Sequence, residues 1–197
     1  MKNLLLVLMT FTIAFSAHGQ DDTETLISGD IKSGGYGGPA VKIGQINGEN
    51  GVFVGGQGGW IINHQFVLGG GGYGLTNDIL IQGIDSPEDL YLNFGYGGLF
   101  LEYIIAPKRL IHFTVNSMIG AGGVSFRDKD YEGTDDYNND SFFVLEPGVS
   151  AVLNLHKHVR ITVGGNYRWI SGVDMAGIGD SDLSGTTFEV RLKFGSF

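Results

Sequence analysis

Cysteine is absent from the 197 residues. A chain without cysteine has no disulfide framework, so a small fold held by bridges is excluded. Long apolar runs are missing as well. The run from Leu4 to Phe15 is shorter than the roughly 20 residues a helix needs to cross a bilayer, and no other stretch comes close. Basic residues are few: 12 Lys and Arg stand against 21 Asp and Glu, a net charge of −9. That balance argues against nucleic acid as a partner. There is no Gly-x-Ser-x-Gly, and the glycine runs lead into strands rather than opening helices. Neither a hydrolase elbow nor a phosphate loop is therefore expected.

What the N-terminus does carry is a secretion pattern. Lys2 supplies a positive start, Leu4 to Phe15 a short apolar core and Ala17-His18-Gly19 a small-x-small cleavage site. The expected organisation is a signal peptide over 1–19, an N-terminal extension over 20–33 and one domain over 34–197.

Glycine is abundant, at 34 residues, well above the roughly 7% typical of proteins. It sits among Val, Phe, Tyr, Ile and Leu, as in Gly69 to Gly74 and Gly95-Tyr96-Gly97-Gly98-Leu99-Phe100. A flexible linker would place it beside Ser and Gln instead. In a narrow barrel, glycine leaves room for larger inward side chains and lets strands bend.

Alternation supplies the strands. Near the end of the chain Thr186, Phe188, Val190, Leu192 and Phe194 share one face, and Thr187, Glu189, Arg191 and Lys193 the other. An apolar face backed by charge is the pattern of a transmembrane strand between lipid and a polar lumen. Similar alternation and turn residues predict eight strands at about 34–47, 51–62, 65–77, 90–104, 110–126, 141–154, 159–171 and 185–196. Register in the first three is obscured by glycine. Short connections at 63–64, 106–109 and 155–158 alternate with long polar ones at 78–89, 127–140 and 172–184, apart from a compact turn at 47–50. Acidic residues crowd the long connections. The fold expected is all-β: a single eight-stranded antiparallel up-and-down transmembrane barrel.

The competing architecture is a soluble, lipocalin-like periplasmic binding barrel, in which the apolar face points inward. Strand length and aromatics favour the membrane form. Trp60 and Tyr103 fall toward the short turns, and Tyr73, Tyr91 and Trp169 toward the long loops, as interface girdles would.

Several segments resemble a known family. They include 58–75, Glu146-Pro147-Gly148, Asn154, Arg160, Tyr167-Arg168, Gly172, Asp182-Leu183-Ser184-Gly185 and Lys193-Phe194-Gly195-Ser196-Phe197. Together these are similar to the small outer-membrane β-barrel proteins of the Bacteroidota type, whose function is unassigned. The resemblance covers nearly all of the mature chain and implies location and fold, with no activity. One departure is that Phe197 is a residue out of step with Phe194. A bulge at Gly195-Ser196 is expected to absorb it.

Candidate chemistry is sparse. Glu146, Arg160, Arg168, Glu189, Arg191 and Lys193 come from three neighbouring strands and are expected to face inward as ion pairs. Such a set makes either a charged conduit or a plug. An eight-stranded barrel is just wide enough for its own side chains, which favours the plug. Asp128, Asp130 and Glu132, with Asp180 and Asp182, echo the first half of a calcium loop, yet no twelfth-position Glu and no flanking helices follow. They are expected to be solvated carboxylates that bridge divalent cations to lipopolysaccharide without a defined metal site. His112 with Thr114, or Ser117 on the opposite face, come nearest to a nucleophile and base. His64, His156 and His158 lack a repeated ligand spacing. No enzyme activity, catalytic residue, cofactor or metal is expected.

The reading is a non-enzymatic outer-membrane barrel with a structural envelope role and acidic surface loops. Its partners are outer-membrane lipid and lipopolysaccharide, and the assembly machinery through the last strand. The alternative is a surface binding or adhesion module that meets an extracellular partner through loops 127–140 and 172–184, with Tyr131 and Tyr137 as anchors. A narrow pore is weaker still.

Overall fold

Period-two alternation becomes eight antiparallel strands in the computed structural model, which describes residues 31–81, 90–128, 137–175 and 177–197. These are β1 (Ser33–Ile46), β2 (Glu49–Ile62), β3 (Phe66–Leu75), β4 (Leu90–Ile105), β5 (Ile111–Asp128), β6 (Tyr137–His156), β7 (Val159–Ser171) and β8 (Gly185–Ser196). A single helical turn, α1 (Asp180–Leu183), precedes β8. Each strand pairs with the next, and β8 returns to β1, closing the barrel. The signal peptide and most of the 20–33 extension lie outside the described residues, as does 82–89 of the first long connection with its acidic residues Asp85, Glu88 and Asp89.

Strand bounds follow the sequence expectation closely. The largest difference is at β6, which starts at Tyr137 rather than 141. There Ser125 and Phe126 of β5 carry the pairing out to Asn139 and Tyr137 across a local irregularity. At the other extreme β3 stops at Leu75. Thr76 turns back to β2, donating its N–H to the Val52 carbonyl at 2.9 Å, and the Asn77 side chain accepts from Val52 N–H at 2.7 Å.

The apolar faces point outward. Val41, Ile43, Val54, Leu68, Leu99, Phe113, Val115, Val149, Val163, Phe188 and Val190 are exposed, whereas Lys42, Glu102, Thr114, Glu146, Asn166 and Glu189 are buried. This arrangement rules out the lipocalin-like alternative. Apolar surface left in water costs about 25 cal/mol per Å², so a wall of this kind belongs in hydrocarbon. A closed barrel also satisfies every strand edge there.

Aromatic girdles form at both ends, with one correction. Trp60 and Tyr103 are exposed near the short turns, and Trp169 near the long connections. Tyr73, expected in the girdle, is 4% exposed and faces the lumen. On β3 the inward set is Val67, Gly69, Gly71 and Tyr73, and the outward set is Leu68, Gly70, Gly72 and Gly74. Glycine on both faces hid that parity from the sequence.

The expected bulge at Gly195-Ser196 is absent. Pairing between β1 and β8 keeps one register from Gly44↔Thr187 to Gly35↔Ser196. Alternation therefore carries Phe197 inward, after Lys193 and Gly195, and leaves Phe194 as the last aromatic on the outer face.

Turns are tight where the sequence allows a left-handed backbone. Asn47 (φ 51°) and Gly48 (φ 74°) form a two-residue connection that suits the strand twist. Asn63 (φ 51°) and His64 (φ 60°) do the same without a glycine, closed by Gln65 N–H to the Ile62 carbonyl at 3.1 Å. Inside the wall, glycine makes room. A Cβ on Gly71 would sit 2.5 Å from Gln57 Cβ and 3.1 Å from Met118 Cε.

Candidate functional site

The lumen is the only place where this chain gathers polar chemistry away from solvent among the described residues, and an apolar layer is stacked there on an ionic one.

The layer at the long-connection end is apolar. Phe53, Phe94, Phe126, Phe142, Val144 and Ile170 point in from the strands. Connections fold over them. Ile79 and Ile81 are buried, held by Ile81 N–H to the Leu90 carbonyl and Leu92 N–H to the Ile79 carbonyl, both 2.9 Å. From the other side Met175, Ile178 and Leu183 join the same cluster. The lumen is capped by hydrocarbon at this end.

Arg168 anchors that cap from below. It is fully buried, and its Nε donates to the Leu183 carbonyl at 2.8 Å while an Nη donates to the Gln45 carbonyl at 3.1 Å. Its guanidinium lies 4.6 Å from the Phe53 ring centre. Arg168 was expected to pair with a carboxylate. It has no carboxylate within ion-pair distance among the described residues, because the end of α1 and the end of β1 present free carbonyls to it first.

The layer beneath the cap is ionic. Lys42 Nζ lies 2.5 Å from Glu146 Oε2 and 3.7 Å above the Tyr73 ring. Glu146 also accepts from Tyr96 OH and Thr187 Oγ1, each at 3.2 Å. Glu189 accepts from Arg191 Nε at 2.9 Å, Tyr73 OH at 2.9 Å and Asn166 Nδ2 at 3.1 Å. The Gln57 amide sits between Tyr73 and Arg191; with its NH₂ toward Tyr73 OH, its oxygen accepts from the guanidinium. Lower down, Glu102 takes Lys193 on both oxygens, at 2.6 and 2.8 Å, and Tyr36 OH at 2.8 Å. Every carboxylate oxygen in this layer has a donor, as burial of charge requires.

Of the six residues singled out in the sequence, Glu146, Glu189, Arg191 and Lys193 thus lie in one connected set. Arg160 sits apart at the short-turn mouth, its guanidinium 3.8 Å from the Phe197 ring centre. The sequence reading missed Lys42 and Glu102, which supply the partners, and Tyr36, Tyr73, Tyr96 and Gln57, which link the pairs. A signal existed for two of them: Lys42 alternates with outward Val41 and Ile43, and Glu102 with Leu101 and Tyr103.

The remaining candidates are dispersed. His112 Nδ1 lies 3.3 Å from the Arg109 carbonyl, while His112 Nε2 and Thr114 Oγ1 have no hydrogen-bond partner among the described residues. They are not joined as base and nucleophile, and Ser117 points to the outer face. Asp180 accepts from Val173 N–H at 2.8 Å and Asp182 from Gly179 N–H at 2.9 Å, so both carboxylates serve the turn around α1. Asp130 and Glu132 lie outside the described residues, as does the side chain of Asp128. Among the described residues no group of His, Asp and Glu could hold a metal ion.

No protein-family model and no curated sequence matches the chain. Solved structures do. Neisserial surface protein A superposes with a TM-score of 0.52 at 13% identity, over 85% of this chain and 99% of that one. The N-terminal barrel domain of Pseudomonas aeruginosa OprF gives 0.52 at 9% identity, over 83% and 96%. The fold is that of the small outer-membrane barrels. Ail, the attachment invasion locus protein of Yersinia pestis, gives 0.49 at 14% identity over 83% and 97%. At such identities the likeness concerns the backbone alone.

Proposed function

We propose that this chain is an exported, non-enzymatic barrel of the outer membrane, closed to solutes, whose role is structural in the envelope. One observation carries the reading: an outward apolar wall surrounds a lumen filled by paired charges and capped by an apolar cluster. In this orientation the short turns face the periplasm and the acidic connections face outward, as in bacterial barrels. The Bacteroidota type is read from the sequence segments quoted above. Lipid and lipopolysaccharide meet the outer wall and rim, and the assembly machinery reads β8, with Phe194 as its last lipid-facing aromatic.

The test is fractionation of the producing cell, followed by a dodecyl sulfate gel of the membrane fraction with and without boiling. A band in the outer-membrane fraction that migrates faster unheated is expected. Recovery in the soluble periplasm with no heat shift would refute the reading.

A further inference from the structure

The short-turn mouth of the barrel holds a cavity of about 320 Å³ lined by Ile61, His64, Ile104, Pro107, Lys108, Arg160 and Phe197. Its floor is apolar: Ile61 and Ile104 are buried, and Phe197 stacks on Tyr36 with ring centres 6.1 Å apart. Its polar side chains all carry nitrogen. They come from three places, the β2–β3 turn (His64), the β4–β5 turn (Lys108) and β7 (Arg160). No Asp or Glu side chain lines it.

The Arg160 side chain makes no hydrogen bond and no ion pair among the described residues, and one face of its guanidinium is taken by Phe197. Glu102, the carboxylate at this end of the lumen, is saturated by Lys193 and Tyr36. Cations already exceed anions within: Lys42, Arg168, Arg191 and Lys193 are buried against Glu102, Glu146 and Glu189. The surrounding rim adds Lys32, Arg109 and Lys157, with no Asp or Glu in turns 63–65, 106–110 or 157–158. In a chain of net charge −9, the described side chains at this end are net positive.

A guanidinium stacked on a ring leaves its planar N–H edge free for two oxygens of a carboxylate or phosphate. The apolar floor suits a hydrocarbon part, and the volume lies at the small end of ligand cavities, which start at roughly 300 Å³. We propose that this mouth is a binding site for an organic anion, a carboxylate or phosphate ester bearing a small apolar group, held by Arg160 and Lys108 over Phe197. The cap at the opposite end means that the site fills from the short-turn side only. Its placement in the periplasm rests on the function proposed above; the binding itself does not. The anion comes either from an anionic phospholipid of the adjacent leaflet or from a soluble periplasmic compound.

The experiment titrates the purified full barrel in zwitterionic micelles with phenyl phosphate, dihexanoyl phosphatidylglycerol and dihexanoyl phosphatidylcholine. Calorimetry gives the affinity and the Arg160 Nε–H resonance gives the site. Saturable binding of phosphatidylglycerol or phenyl phosphate is expected, with none for the zwitterionic lipid. Loss of a charge-assisted contact in R160Q should weaken it roughly tenfold or more, and K108Q should weaken it less. K157Q, on the rim outside the cavity, should leave it unchanged. Binding of phosphatidylglycerol alone assigns the lipid source, and competition by phenyl phosphate assigns a soluble one. Absence of saturation by both anions, or equal weakening by R160Q and K157Q, overturns the proposal. A heat-shifted gel band establishes that each variant is folded; should R160Q fail it, the comparison of K108Q with K157Q decides. A barrel that shifts on heating yet binds neither anion refutes this site and leaves the function proposed above standing.

Discussion

Lys42 and Glu146 meet across the lumen at 2.5 Å, from β1 and β6, 104 positions apart in sequence and both almost wholly buried. Removing one member of such a pair strands a charge and costs about 3–5 kcal/mol, whereas replacing both by apolar side chains of similar volume is often close to neutral. K42M or E146L alone should therefore lower the urea midpoint of the micelle-bound barrel strongly, and the double variant should recover most of the loss. Additive losses would show that the two residues do not act as a pair.

The direction of the strand faces has its own test. Val149 and Val163 stand on the outer wall, exposed to whatever surrounds the barrel. Arginine on a lipid-facing site near the bilayer centre costs about 2–4 kcal/mol. V149R and V163R should lower the yield and stability of refolding into phospholipid vesicles, and change little in a short-chain detergent. Equal behaviour in both media would place these residues away from the hydrocarbon.

Much of this arrangement was legible beforehand, and the boundary between what was and was not has a physical cause. From β4 onward each strand keeps a stretch of large alternating side chains beside its glycines (Gly97-Gly98, Gly122-Gly123, Gly164-Gly165), so strand bounds, facing and five of the lumen charges could be read off. In β1 to β3 glycine occupies both faces, and a side chain that is absent reports no parity. Tyr73 reads as outward for that reason; Lys42 and Glu102, each flanked by outward apolar residues, carried a legible parity and were missed all the same. The pairing of charges across the barrel is a different matter. Lys42–Glu146 and Lys193–Glu102 join strands far apart in the sheet order, and no local pattern encodes which carboxylate a lysine will reach. Phe197 shows the opposite error. The bulge expected at Gly195-Ser196 set aside the plain alternation, which continues inward.

At the outer rim, Asp140 accepts from the N–H of Asp174 at 2.7 Å and from Ser141 N–H at 2.7 Å, tying β6 to the segment after β7. These bonds, the one from Asp174 first, hold its carboxyl below the ordinary value of 3.8. A carboxyl whose pKa is depressed in the folded state binds fewer protons there than when unfolded. The tie is thus at full strength above the ordinary aspartate range and is lost as pH falls through the lowered value. Hydrogen exchange at the Asp174 amide should be slow at neutral pH and should lose its protection at the acidic end, after allowance for the intrinsic pH dependence. In D140N the protection should be weaker at neutral pH, and that acid step should vanish. Persistence of the step in D140N would assign it to another group.

Conduction offers the last discrimination. Two independent barriers lie in series along the axis. The ionic layer joins Lys42, Glu146, Glu189, Arg191, Glu102 and Lys193 with their tyrosines, and the apolar cap above it contains Ile79, Ile178 and Leu183. Ions would have to dissolve in hydrocarbon at one and displace internal counter-charges at the other. The protein should give a flat current trace in planar bilayers. L183A should cost about 2–5 kcal/mol of stability, as cavity formation in a packed cluster does, and still carry no current, because the ionic layer and Arg168 remain beneath it. Discrete current steps from the unmodified protein would mean that the paired charges exchange partners to let ions past, and the closed structural reading would give way to a gated one.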